Sequence, residues 1–335
     1  MKIIFKKFAE FWHKNYRPII YLAAFLCVLF GLLSDKTMKD LNVSPAVSGI
    51  FERIENLEEI KSNRIVELEK RLEQQKSSAS ADSIALEQQI NRLKMNPKGV
   101  LLICVDFDPG SGPELKPMVT SVIRHAFAKD IKVLGNVAYN VMSTQLADNL
   151  MREAAERIEN VFPDKIAGED YIFFGYRPNA FQVYLQMGED IYSAYETDYA
   201  GTQLAKLPIM QNIRKFTDID IVVAISGYVG APEMWINVAK TKFNIPVGIG
   251  MTAVSASDYF PYLQSKQICG LLAGMRGAAE YETMLIKKYP AVADSVELIG
   301  IKLMQPQLYA HALAIFLLVL GNVEFIISKL KRKKA

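Results

Sequence analysis

The sequence predicts an α/β fold: a doubly wound, mostly parallel Rossmann-like sheet with an N-terminal helical stalk and two transmembrane helices. Three observations carry this. Long apolar stretches lie near both ends, a charged stretch of helical spacing occupies 45–95, and from residue 98 short apolar runs alternate with amphipathic ones.

The ends come first. After the basic tail 1–17, "MKIIFKKFAEFWHKNYR", comes "PIIYLAAFLCVLFGLL", in which no residue from Ile19 to Leu33 is charged or strongly polar. Residues 18–34 are therefore expected to be an uncleaved signal-anchor span, because no small-x-small cleavage site follows in "FGLLSDKTMKD". The span is short, so Arg17 and Lys36 are expected to snorkel to opposite interfaces. Near the other end, "LYAHALAIFLLVLGNVEFII" would extend ~30 Å at 1.5 Å per residue, the thickness of a bilayer core, and makes 307–328 a second span. Glu324 sits near its basic end and is expected to snorkel. Lys2, Lys6, Lys7, Lys14 and Arg17 precede the first span, and Lys329, Lys331, Arg332, Lys333 and Lys334 fill the tail 329–335. Both termini are thus expected in the cytoplasm, with the globular part extracytoplasmic. Phe5, Phe8 and Trp12 share one side of a helix among lysines, a pattern suited to lying on the inner leaflet.

The tails also account for the basic balance. Of 39 Lys and Arg and 36 Asp and Glu, the tails hold ten of the former and only Glu10 of the latter, leaving the remainder at 29 against 35. A net charge near −6 argues against nucleic acid as a partner and directs the basic ends to anionic lipid. Cys27 lies in the first span, Cys104 in an apolar strand and Cys269 in an expected apolar helix, and no disulfide is implied. His13, His125 and His311 are isolated from one another and from the cysteines, so no zinc spacing exists.

Over 45–95, Ile50, Ile54 and Leu57, then Ile65, Leu68 and Leu72, then Leu86, Ile90 and Leu93 repeat at helical spacing. Lys61, Arg64 and Arg71 fall where a single heptad register wants apolar residues, and "SSASAD" interrupts the run. The expectation is a coiled-coil-like stalk or bent helical hairpin that either oligomerises or packs on its own domain.

The domain expected over 98–303 begins with "GVLLICVDF", a continuous apolar run suited to a strand buried on both faces. "LKPMVTSVIRHAFAKD" follows as a helix with Met118, Val122, His125 and Ala126 on one side. "IKVLGNVAY", "DYIFFGY", "IDIVVAISG" and "IPVGIGM" read as further strands, the last of them the final parallel one. "TQLADNLMREAAERIENVF" and "PEMWINVAKTKF" read as helices. In 176–216, Phe181, Val183, Leu185 and Met187 alternate as in a strand, while Pro178, Gly188 and Gly201 break the region; a hairpin or edge-covering excursion is expected, with the composition of a lid or partner surface. "GLLAGMRGAA" places Gly270, Gly274 and Gly277 on nearly one helical face and carries Arg276, which argues against a third span.

In an open parallel sheet, ligands bind beyond the carboxyl ends of the strands. Three such ends supply candidate ligand-binding residues: Asp106, Asp108 and Ser111; Ser226 and Gly227; Thr252 and Ser255. The stretch "DFDPGSGPE" lacks both the Walker and the dinucleotide patterns, and two carboxylates repel an anion unless a divalent cation lies between them. Asp-x-Asp at a strand end resembles phosphotransferases whose first Asp is the nucleophile, but Pro109 and Gly110 stand where that pattern wants a small residue and then Thr or Val. Ser226 has the position of a nucleophile without Gly-x-Ser-x-Gly, His125 reads as a packed core residue, and Cys104 lies inside its strand. Equally, the corner is well made as architecture. Pro113 suits a first helical turn, Glu114 complements the positive helix end, and Asp106 can bond loop N–H groups.

The expected function is a membrane-anchored extracytoplasmic module, non-enzymatic, that binds a ligand or protein partner and assembles as a scaffold or sensor, with the lipid bilayer and a homo-oligomer or membrane complex as partners. No cofactor is expected. The alternative is an anchored hydrolase using Asp106 and Asp108 with a divalent cation, or Ser226.

Overall fold

The five apolar runs expected as strands are strands of one sheet in the computed structural model, which describes residues 2–33, 41–75 and 81–333. The chain runs α1 (Lys2–Leu33), α2 (Pro45–Glu55), α3 (Leu57–Gln75), α4 (Ala81–Met95), β1 (Val100–Asp106), α5 (Gly112–Ala128), β2 (Lys132–Val137), α6 (Thr144–Ala155), β3 (Tyr171–Tyr176), α7 (Ala180–Glu189) and α8 (Ile191–Ala194). It continues through β4 (Ile221–Ser226), α9 (Gly230–Trp235), β5 (Val247–Met251), α10 (Phe260–Gln264), β6 (Gly270–Ala273), α11 (Gly274–Lys288), α12 (Val292–Ser295) and α13 (Ile299–Lys333). These residues form two units, one of Asp40–Gly300 and one of Met1–Lys39 with Ile301–Ala335.

In the larger unit every strand pairing is parallel, in the order β3-β2-β1-β4-β5-β6. The unbroken apolar character of β1 follows from its place in the middle. Leu101, Ile103 and Val105 face the layer built by α2, α5, α6 and α11, while Val100, Leu102 and Cys104 face the layer built by α7, α9 and the 204–219 segment. Each fully buried Val, Leu or Ile contributes about 1.5–3 kcal/mol, so a central strand with no polar side until Asp106 is worth more here than an alternating one.

Two expectations are corrected. The alternation of Phe181, Val183, Leu185 and Met187 is not a strand: α7 buries Ala180, Val183, Tyr184 and Met187, a spacing of three and four, and leaves Phe181 exposed. Tyr184 packs on Trp235 with ring centroids 3.7 Å apart, so 176–216 is the buried crossover from β3 to β4 and covers a face of the sheet rather than its edge. The second correction is at Gly270. "GLLA" is the sixth strand, opened when the Cys269 N–H donates to Val247 O at 2.8 Å, and Gly274 starts α11 at φ +57. Cys269 thus precedes a strand instead of sitting in a helix, and β5 is not the last strand. Four residues are too few to show a period of two, and the helix follows without a loop.

Residues 45–95 belong to this unit. In α2, Val47, Ile50, Phe51 and Ile54 are buried in the core. A Cβ on Gly270 would lie 2.7 Å from the Ala46 carbonyl oxygen and 2.8 Å from the Ile50 nitrogen, so α2 meets β6 backbone to backbone. Gly270→Ala is expected to push α2 off the sheet and lower stability by about 2 kcal/mol, read as a lower melting temperature of the full chain in detergent. Helices α3 and α4 lie side by side, tied by Lys94 to Glu69 at 2.7 Å. Lys61, out of heptad register, instead donates to Asp220 at 2.8 Å at the amino edge of β4, and the same Asp220 oxygen accepts the Val100 N–H at 2.9 Å. The "SSASAD" break falls largely in 76–80, outside the described residues.

Helix α11 fastens both ends of the unit. The Ser44 N–H and hydroxyl donate to Glu280 Oε2 at 2.9 and 2.7 Å, and the Gly300 N–H donates to Glu282 Oε1 at 3.1 Å. Arg276 holds the other Glu280 oxygen at 2.8 Å.

Two helical stretches, Tyr16–Leu33 of α1 and Ile299–Val323 of α13, are long and apolar enough to cross a membrane, and the smaller unit holds the first and, from Ile301 on, the second. Phe30 meets Tyr309 edge-on at 5.4 Å, and Gly31 lies against the Pro306 backbone, where a Cβ would come within 2.6 Å of Pro306 Cα. Lys334, and the side chains of Phe5, Phe8, Trp12 and Glu324, lie outside the described residues.

Candidate functional site

The strand order reverses between β1 and β4, so the connections leaving their carboxyl ends diverge, the place where open parallel sheets bind ligands. Asp106 and Ser226 are register partners at this point. Asp106 is fully buried and is committed to the fold. Its Oδ1 accepts the N–H groups of Tyr139 and Asn140 at 2.9 and 3.1 Å, both oxygens lie 3.3 Å from the Ala138 nitrogen, and the Cys104 thiol donates to Oδ2 at 3.0 Å. Burial pushes this carboxyl above its ordinary 3.8, while the thiol and the three N–H groups pull the other way. The carboxylate thus ties the end of β1 to the turn after β2. Burial, then the neighbouring Asp106, drive the Cys104 thiol well above 9.0, so it is no nucleophile.

Asp108 stands in the next loop. Its Oδ1 accepts the Ser111 N–H at 3.1 Å, and Tyr228 directs its hydroxyl at Oδ2 from 3.5 Å. Asn140 donates to that same hydroxyl, and the Tyr228 ring stacks on Tyr139 at 5.4 Å. The Ser226 hydroxyl accepts the Tyr228 N–H at 2.9 Å and has the carbonyls of Asp106 and Tyr228, each at 3.0 Å, as acceptors. Gly227 donates to Asp106 O at 2.9 Å and runs close to Ser111, where a Cβ would lie 3.0 Å from Oγ. Five of the seven candidates therefore meet at the carboxyl ends of β1 and β4: Asp106, Asp108, Ser111, Ser226 and Gly227. Thr252 and Ser255 form a turn after β5, their hydroxyl oxygens 3.5 Å apart. Glu114 connects the two places, accepting the Ala253 N–H at 2.8 Å.

Sequence reading missed Tyr139, Asn140 and Tyr228, whose signal was a tyrosine shortly after each of two strand ends, in "VAYN" and "ISGYV". It also missed an open cavity of about 600 Å³ beside the carboxyl ends of β2 and β3, whose lining includes Val141, Met142, Tyr176, Arg177, Asp198 and Tyr199. Among the described residues no three His, Cys, Asp or Glu side chains converge where a metal ion can be held.

His125 lies at the opposite edge. It stacks on Phe51 at 4.1 Å, and its nitrogens lie 3.0 Å from Glu55 Oε2 and 2.8 Å from the Tyr281 hydroxyl. This geometry fits a neutral imidazole donating from Nε2 and accepting at Nδ1. Glu55 also receives Lys129, Lys288 and the Tyr289 hydroxyl, at 3.4, 3.2 and 3.1 Å. The His125 hydrogen bond and then the two lysines hold the Glu55 carboxyl well below 4.5, and burial holds His125 below its ordinary 6.5. A histidine depressed in the folded state is protonated preferentially when unfolded. Stability is therefore complete above pH 6.5 and is expected to fall as pH drops below it, by up to about 1.4 kcal/mol per pH unit. Melting temperature followed from pH 7.5 down to about pH 5 checks this, and His125→Gln should flatten that limb.

The chain matches no protein-family model, no curated protein and no solved structure.

Proposed function

We propose that the chain is a membrane-anchored α/β module that binds a partner across the carboxyl-edge rim of its sheet and carries out no covalent chemistry. One observation supports this above the rest: Asp106, Ser226 and Cys104 at the strand ends are engaged inward, in backbone and side-chain bonds, while the turns after β2, β4 and β5 carry exposed apolar side chains. Met142 is 74% and Val254 87% exposed, with Tyr139, Val141 and Val229 also exposed. The strand order β3-β2-β1-β4-β5-β6 supports a Rossmann-like reading, in which ligands lie at this switch point. The basic tails favour cytoplasmic termini and an extracytoplasmic domain, and the α3–α4 hairpin, with Val66 and Ile84 exposed, offers a surface for assembly as an oligomeric scaffold or sensor.

The test sets this reading against cation-assisted hydrolysis. Mg²⁺, Mn²⁺ and Ca²⁺ are expected to leave the melting temperature of the full chain unchanged, and a photo-crosslinker at Met142 in intact membranes is expected to give adducts that Val254→Glu removes. A cation-induced rise in melting temperature that disappears in Asp108→Asn would overturn the non-enzymatic reading.

A further inference from the structure

We infer that the open cavity beside the carboxyl ends of β2 and β3 binds a small monocarboxylate carried on an apolar or aromatic body, with Arg177 as the group that receives the carboxylate. The inference rests on the reading of the chain as a rim-binding module and names the chemistry of a ligand that the rim takes.

The first argument is which polar groups the fold has already engaged. At the ends of β1 and β4, Asp106 and Ser226 are buried and hydrogen-bonded within the domain. The cavity of about 600 Å³ beside β2 and β3 differs. Tyr176, Arg177, Thr197 and Tyr199 line it, and among the described residues their hydroxyl and guanidinium groups have no hydrogen-bond or ion-pair partner. Arg177 is nonetheless held in place. Pro178 after it disfavours helical backbone at Arg177, and the guanidinium carbon lies 5.7 Å from the centre of the Tyr195 ring, which is buried and stacks on Phe174 at 4.8 Å. A guanidinium fixed in this way, with no acid of its own, is matched to a carboxylate that it can meet with two parallel hydrogen bonds.

The second argument is the make-up of the walls. Residues 197–199 pass the outer edge of β3, where the Tyr199 N–H donates to Phe173 O at 2.8 Å and the two rings meet edge-on at 5.2 Å. Gly175, at φ +76, permits this approach, since a Cβ there would lie 2.9 Å from Tyr199 Cδ2. Asp198 is fixed in a turn: its Oδ1 accepts the Thr202 N–H at 2.7 Å, and its own N–H donates to Thr202 O at 2.9 Å. The turn after β2 adds Val141 and Met142, so the walls are mainly apolar and aromatic, the composition of sites that enclose small organic ligands. Among the lining residues Arg177 is the single cation and Asp198 the single acid. A phosphate, with close to two negative charges, is repelled by Asp198 more strongly than a carboxylate with one. The singly charged group pairs with Arg177 and leaves its apolar remainder to Met142, Phe174 and the two tyrosines.

The experiment uses the full chain in detergent, with phenylbutyrate as the probe, the uncharged phenylbutyramide as its match in shape, and inorganic phosphate as the competing anion. At about tenfold excess over its dissociation constant, phenylbutyrate is expected to raise the melting temperature by about 3 °C, and the amide and phosphate to leave it unchanged. Arg177→Gln should remove the shift, Arg177→Lys should keep part of it, and Lys206→Gln, exposed and outside the cavity, should keep all of it. Saturation-transfer NMR on the phenyl protons reads occupancy apart from stability and is expected to follow the same order. An equal shift with the amide, a shift that Arg177→Gln retains, or no response to phenylbutyrate up to about 10 mM would overturn the inference. A phosphate shift lost in Arg177→Gln would also overturn it, by assigning the cavity to the other anion. In any of these cases, Met142 crosslinks that Val254→Glu removes would leave the rim reading standing, and their absence would remove both.

Discussion

Asp106→Asn is expected to destabilise the domain by about 3 kcal/mol or more, whereas Asp108→Asn should cost about 1 kcal/mol or less. The difference comes from where the two carboxylates point. Asp106 collects the N–H groups of Ala138, Tyr139 and Asn140 together with the Cys104 thiol, and it has no exposed surface. An asparagine there keeps one acceptor and aims an NH2 group at donors, leaving buried groups unpaired. Asp108 loses one bond from Ser111 and a long approach from Tyr228, both near solvent. Denaturant unfolding of the two variants in the same detergent checks the ordering. A cation site would reverse it: with both aspartates as ligands, each substitution would remove a carboxylate–carboxylate repulsion and both variants would be stabilised in the absence of metal.

The second large effect is expected at Lys61. Lys61→Met should lower stability by about 3 kcal/mol, because it abandons a largely shielded Asp220 that is also the acceptor for the first N–H of β1. The double variant Lys61→Met/Asp220→Asn should recover part of that loss, since an amide can still accept from Val100 without carrying charge. Burial already pushes the Asp220 carboxyl above 3.8 against the pull of Lys61, so the single variant is expected to hold Asp220 protonated over a wider pH range. The shape of its stability–pH curve therefore separates the ion pair from simple loss of packing.

Lys61 also illustrates what the sequence could and could not convey. Strands buried on both faces are the most legible elements, because a run such as "GVLLICVDF" has no polar member to confuse the reading, and the central pair β1 and β4 follow directly. A lysine at a helical position that wants an apolar residue reads as a broken heptad; its acceptor lies 159 residues away in the chain, a distance over which periodicity says nothing. The same reach defeats β6, whose four residues are recognisable only through their pairing with β5, and α7, whose apolar positions satisfy both a period of two and a spacing of three and four. At the corner, the residue types announced a convergence at the strand ends and five of the seven candidates do meet there. What they do not announce is direction. Asp106 faces inward because the turn after β2 brings its N–H groups to that carboxylate, and no property of "DFDPGSGPE" encodes a turn thirty residues on.

The fastening of both chain ends to α11 has a mechanical consequence. Tension applied between Ser44 and Gly300 enters through the Glu280 carboxylate, crosses a short stretch of one helix and leaves through Glu282. The six strands lie outside that route. Force on the two ends of this unit would therefore load these two hydrogen-bonded clasps first, while the sheet and its rim keep their shape.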